Sequence, residues 1–132
     1  DEAMRCYQEA LALSRRTGLR RAEAFCLVSL GEMTRDLGLL EPSAAYLQEG
    51  REIADSLGDS FLAAYGLEAL GLVHRAAGRY DEALDTLASA LALGLEQGSA
   101  YQIGRYSASL GMATSRAFRH SCGAPTAAPC GP

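Results

Sequence analysis

The stretch Phe61–Gly98, FLAAYGLEALGLVHRAAGRYDEALDTLASALALGLEQG, decides the fold. It reads as two amphipathic helices joined by a tight turn at Gly78 and closed by Gly98. Moved back by 40 residues it lands on itself: Leu30-Gly31, Leu70-Gly71 and Leu110-Gly111 keep that step, as do Gly18, Gly58 and Gly98, and Gly38 and Gly78. A fixed period of this length marks a stacked array of supersecondary units. One such hairpin cannot bury its apolar face alone, so neighbouring units must share a continuous core.

Working outward, residues 1–18 (DEAMRCYQEALALSRRTG) align with 81–98 (DEALDTLASALALGLEQG), sharing Asp1, Glu2, Ala3, Ala10, Leu11, Ala12, Leu13 and Gly18. They read as the second helix of a unit. Acidic residues at the start suit the positive end of a helix, and the closing Gly suits a left-handed cap. Residues 20–37 form the next helix, with Ala24, Leu27, Leu30 and Gly31 on one face. Its partner opens at Glu41-Pro42 and turns Ala44, Leu47, Ala54 and Leu57 inward. Asp59-Ser60 caps the following helix. The last periodic helix runs from about 100 to 117. Residues 118–132 hold three of the four prolines and no periodicity, and read as an irregular or disordered tail. The expected organisation is therefore a half repeat at 1–18, repeats at 19–58 and 59–98, and a half repeat at 99–117. The fold class is all-α, an α-solenoid of antiparallel helix hairpins.

The bulk numbers agree. A chain of 132 residues with 48% hydrophobic residues can bury a shared core. Its net charge of −4 gives no case for direct nucleic-acid binding. Lysine is absent, and every fixed cation is Arg; with the abundance of Ala, Gly and Leu this points to a GC-rich bacterial source. There is no secretory leader and no apolar run long enough to span a membrane, and four scattered Cys do not make a disulfide framework, so the expected setting is cytoplasmic. The chain is expected to be an excised part of a larger protein.

The Leu-Gly pairs and their surroundings resemble the tetratricopeptide repeat family, in a longer-helix, 40-residue variant similar to arrays in bacterial signalling and regulatory proteins. The slots of the family pattern hold Leu67, Leu70, Gly71, His74, Ala83 and Leu87, and one unit earlier Leu27, Leu30, Gly31, Thr34, Ser43 and Leu47. The resemblance implies a short right-handed superhelix whose first helices line a concave face. By register the outward positions on that face are Phe25, Val28, Glu32 and Arg35; Tyr65, Glu68, Leu72 and Arg75; and Arg105, Ser109, Met112 and Arg116. This mixture of Arg, acid, aromatic and apolar groups suits an extended peptide or a partner helix. Arg35 and Arg75 share one slot a repeat apart, a short ladder for carboxylates, against the plainer reading of solvated arginines paired with nearby acids. The family's clamp for C-terminal carboxylates falls on Val28, Glu32, Ala69, Arg105 and Ser109, where only Arg105 fits, so no chaperone-tail receptor is expected.

Nothing in the sequence supports an enzyme. His74 has no nucleophile or carboxylate placed by sequence to work with it, and reads as a packing residue. His120, Cys122 and Cys130 lack the spacing of a zinc site. Cys6 and Cys26 read as small buried hydrophobes. No cofactor or metal is expected. The function expected is a protein–protein interaction scaffold in a larger bacterial regulator, one setting being a transcriptional regulator with a separate DNA-binding domain. The alternatives are an oligomerisation arm that self-associates through open repeat ends, or a small-peptide sensor.

Overall fold

A computed structural model describes the backbone of residues 2–121 and the side chains of residues 2–115. Six helices occur among the described residues: α1 (Glu2–Thr17), α2 (Arg20–Asp36), α3 (Leu40–Ser56), α4 (Ser60–Ala76), α5 (Tyr80–Gln97) and α6 (Ala100–Ser121). They form antiparallel pairs in chain order, α2 with α3 and α4 with α5, and each pair stacks on the next. The chain is thus an all-helical solenoid. α6 continues to Ser121, past the boundary expected at 117. The tail from 122 onward lies outside the described residues.

Every turn places a left-handed Gly just after its helix. Gly18, Gly38, Gly58, Gly78 and Gly98 all have positive φ, between 67° and 82°. After α3, for example, the Gly58 N–H donates to Asp55 O (3.1 Å) and the Asp59 N–H to Ala54 O (3.0 Å), the pair of bonds that satisfies the last carbonyls of a helix ending in a left-handed residue. Asp59 then caps α4, its Oδ1 accepting from the Leu62 N–H at 3.0 Å. Arg21 from the neighbouring repeat donates to Asp59 Oδ2 at 2.6 Å.

Within each hairpin the Leu-Gly pair sets how closely the helices approach. A Cβ on Gly71 would sit 2.6 Å from Leu87 Cγ, and one on Gly31 would collide with Leu47. Leu47 and Leu87 are fully buried in those notches. The slot held by Ala83 holds Ser43 one unit earlier, also fully buried, and the hydroxyl donates to Gly31 O at 2.6 Å. The substitution thus introduces a polar group together with its acceptor, as burial requires. Leu57, expected inward, is 45% exposed because it sits at the C-cap of α3, where the chain leaves the core. Cys26 is buried but Cys6 is exposed, since α1 has a covering helix only on the α2 side among the described residues.

The direction of curvature follows from which helices touch. α2 packs against α4 and α4 against α6, whereas among the described residues the backbones of α1, α3 and α5 do not approach one another, and α1 reaches α3 through the Arg15–Glu49 ion pair at 2.9 Å. The row α2, α4, α6 is therefore the inner, shorter side of the stack.

Candidate functional site on the inner helix row

The inner row carries three zones along its length. At the N-terminal ends of α2 and α4, a groove of 530 Å³ is walled by Phe25, Cys26, Phe61, Leu62 and Tyr65, with Arg21 at its rim. Phe25 and Phe61 stand about half exposed, and Phe25 leans on Tyr7 with ring centroids 6.5 Å apart. Exposed Tyr101 of α6 adds another aromatic ring on the same row.

The middle zone is an ionic cluster that joins all three inner helices. Arg105 of α6 stacks over the Tyr65 ring, 4.9 Å from its centroid, and its Nη2 lies 3.2 Å from Glu68 Oε1 and 3.5 Å from Glu32 Oε2. The Tyr65 hydroxyl donates to Glu32 Oε1 (2.9 Å), and the Ser109 hydroxyl donates to Glu68 Oε2 (2.8 Å). Burial works against the Arg105 charge, but Glu68, the Tyr101 hydroxyl, Tyr65 and Glu32 together outweigh it and raise its pKa. Burial also raises the Tyr65 pKa, helped by the bond to Glu32. Burial and the Glu68 charge push Tyr106 up to about 12. Tyr106 itself is 1% exposed and accepts a 2.7 Å bond from Gln102 Nε2, which also reaches Phe61 O at 3.2 Å.

The third zone lies at the C-terminal ends of α2 and α4. A cleft of 580 Å³ is lined by Arg35, Arg75, Leu72, Tyr80 and Met112, with Asp36 beside Arg35. Arg35 Nη2 lies 3.3 Å from Asp36 Oδ1. One Nη1 atom of each arginine is shielded from solvent and has no hydrogen-bond partner among the described residues.

Of the site residues expected from sequence, Phe25, Glu32, Arg35, Tyr65, Leu72, Arg75, Arg105 and Met112 line this row with at least part of each side chain accessible. Val28, Glu68 and Ser109 do not: their exposures are 2%, 1% and 5%. Register within one hairpin turns these positions outward, but the next helix of the inner row covers them. Glu68 and Ser109 serve the surface indirectly, by holding Arg105 and α6 in place. The Arg116 side chain lies outside the described side chains, as do His120, Cys122 and Cys130. Phe61 and Tyr101 were not expected: they share one slot of the 40-residue period, but it lies in the first turn of the helix, before the positions taken to line the face. Among the described residues no group of His, Cys, Asp or Glu could hold a metal ion. No helix of the described residues is long and apolar enough to cross a membrane. His74 is part-buried with its Nδ1 accepting from Arg79 Nε at 3.3 Å, and burial together with Arg79 lowers its pKa.

A search of curated proteins finds no match to this chain. Residues 67–101 match the family described as Tetratricopeptide repeat. The matched segment begins in the middle of α4 at Leu67, passes through the Gly71 notch and the whole of α5, and ends in the first turn of α6. Repeats of this family serve in general as protein-interaction modules without catalytic activity. The matched segment, with the helix pairing around it, makes the chain similar to the tetratricopeptide repeat family over residues 67–101.

Proposed function

We propose that this chain is a protein-interaction scaffold whose partner lies along the inner row of α2, α4 and α6. The observation that carries this reading is the grouping on one row of half-exposed aromatics, a partly exposed Arg105–Glu32 pair and two arginines in a cleft. An isolated exposed Phe is ordinary, but aromatic and arginine side chains gathered on one face are what interfaces enrich. The lysine-free composition and the 40-residue period support a bacterial regulator as the wider setting, cytoplasmic, with a separate domain as the effector. The test is affinity capture with three forms of the chain: the wild type, Arg35→Glu with Arg75→Glu on the inner row, and Glu52→Arg with Asp85→Arg on α3 and α5. A partner kept by the wild type and the outer-row variant and lost by the inner-row variant supports the reading. A partner lost only by the outer-row variant sinks it.

A second reading is self-association through α6. Gly31 and Gly71 each receive a leucine, whereas no described atom lies within 4 Å of a Cβ placed on Gly111. A second copy could fill that notch. Light scattering over a wide concentration range decides: a mass that stays that of one chain excludes it.

A further inference from the structure

We infer that the paired-arginine cleft at the C-terminal ends of α2 and α4 receives an Asp or Glu side chain of an extended peptide, whose apolar anchor sits in the Phe25–Phe61–Tyr65 groove. This inference rests on the inner-row reading and names the chemistry of its occupant.

The argument begins with what Arg35 and Arg75 lack. A guanidinium has five N–H donors and no acceptor, and a shielded donor without a partner is costly. Both arginines keep such an Nη1 among the described residues. The one ion pair of this zone among the described residues, Arg35 with Asp36, is weak: the residues adjoin in sequence, the distance is 3.3 Å and the Asp36 side chain is 72% exposed. An incoming carboxylate has lone pairs for both guanidiniums, and charge-assisted bonds of this kind are the strong ones. The ends of α2 and α4 carry partial negative charge, about half a unit each, which two full positive charges outweigh. Met112 and Leu72 give the carboxylate's methylene stem an apolar wall.

Spacing supplies the second half. Phe25 and Arg35 lie ten residues apart on one helix, which is about 15 Å. Extended chain advances about 3.3 Å per residue, so the two anchors are about four to five peptide residues apart. Between them the peptide passes Glu32 and Arg105, both partly exposed, which favours a polar intervening stretch. A side-chain carboxylate rather than a chain terminus fits, because the basic and amide groups of a terminal clamp are absent from Val28, Glu32 and Ala69.

The experiment is panning of a displayed library of random twelve-residue peptides, fused so that no peptide has a free C-terminus, on the 132-residue chain. Enriched peptides are then synthesised as acetylated amides and measured by fluorescence anisotropy. The expected enrichment is an aromatic or large aliphatic residue followed four to five positions later by Asp or Glu. Replacing that acid by its amide should weaken binding at least tenfold to the wild type. The Arg35→Gln, Arg75→Gln variant should show the same loss and no further penalty for the amide. Both arginines lie at the solvent boundary, so this variant should keep its helicity and melting temperature. Peptides that bind the inner row without a spaced acid, or equally well to the variant, overturn the arginine anchor and leave the inner-row reading standing. A library that yields no binder overturns both.

Discussion

At the residue scale, the position on which most depends is Arg105. Among the described residues it is the one cation facing the two inner-row acids of the cluster, and Glu68 beside it is almost completely enclosed. Removing one member of a buried pair leaves the other charge uncompensated. Arg105→Ala is therefore expected to cost about 3 kcal/mol in urea unfolding. Adding Glu68→Leu to it should restore part of that loss, since the stranded charge is gone. If the double variant is less stable than the sum of the singles, the pairing of Glu68 with Arg105 is not what makes this position matter. The glycines of the Leu-Gly pairs offer a sharper contrast. Gly71→Ala pushes a methyl into Leu87 and should cost about 1–3 kcal/mol. Gly111→Ala meets no described atom within 4 Å and should be neutral or stabilising by up to about 1 kcal/mol, the helix preference of Ala over Gly. Equal effects at the two sites would contradict the packing described for α4 and α5. The role of Gly71 is legible in the sequence because only a missing side chain permits so close an approach. The burial of Glu68 is not, because it depends on α6, a helix 41 residues away whose Ser109 supplies the partner.

At the scale of the element, turns and caps are the most legible features. A left-handed turn residue almost demands Gly, so the five positive-φ positions stand in the sequence as five regularly spaced glycines. Asp59 and Ser99 cap their own helices through their side chains, Ser99 Oγ accepting from the Gln102 N–H at 3.3 Å, while Leu19, Leu39 and Arg79 occupy N-cap positions without such a bond. Asp59→Ala is expected to cost about 1 kcal/mol. Burial works to raise the Asp59 pKa, but Arg21 and the Leu62 amide prevail and lower it below 3.8. A carboxylate with a lowered folded pKa contributes stability above its unfolded pKa and loses it as pH falls through the folded value. The difference between wild type and Asp59→Asn should therefore shrink as the pH is lowered below about 4. A difference that is constant from pH 7 to pH 2 would show that the charge of Asp59 plays no part. What the elements do not disclose is the lateral contact between alternate helices. Helical periodicity separates the two faces of one hairpin, and on that basis Val28 and Ser109 point outward. The stack then lays a neighbouring helix across them.

For the whole molecule, curvature links packing to function. Among the described residues the backbones of the inner helices pack against their next-but-one neighbours and those of the outer helices do not, so one surface is gathered and the other spread. Tyr106 illustrates how the gathered side is filled. Its ring lies against Gly94, whereas the equivalent positions one repeat earlier are Gly66 and Ala54, so a large residue on the inner row is matched by the loss of a side chain on α5. The gathered side presents Phe25, Phe61, Tyr101 and Met112 to solvent, while α1 and α5 present Leu13 and Leu95. These residues can report the location of a partner without any substitution. The most direct measurement is hydroxyl-radical footprinting of the chain, free and bound to a captured partner or an enriched peptide, read by mass spectrometry. Protection of Phe25, Phe61, Tyr101 and Met112 with unchanged oxidation of Leu13 and Leu95 is the expected result. Protection confined to Leu13 or Leu95, with the inner aromatics still fully oxidised, would contradict an inner-row binding surface.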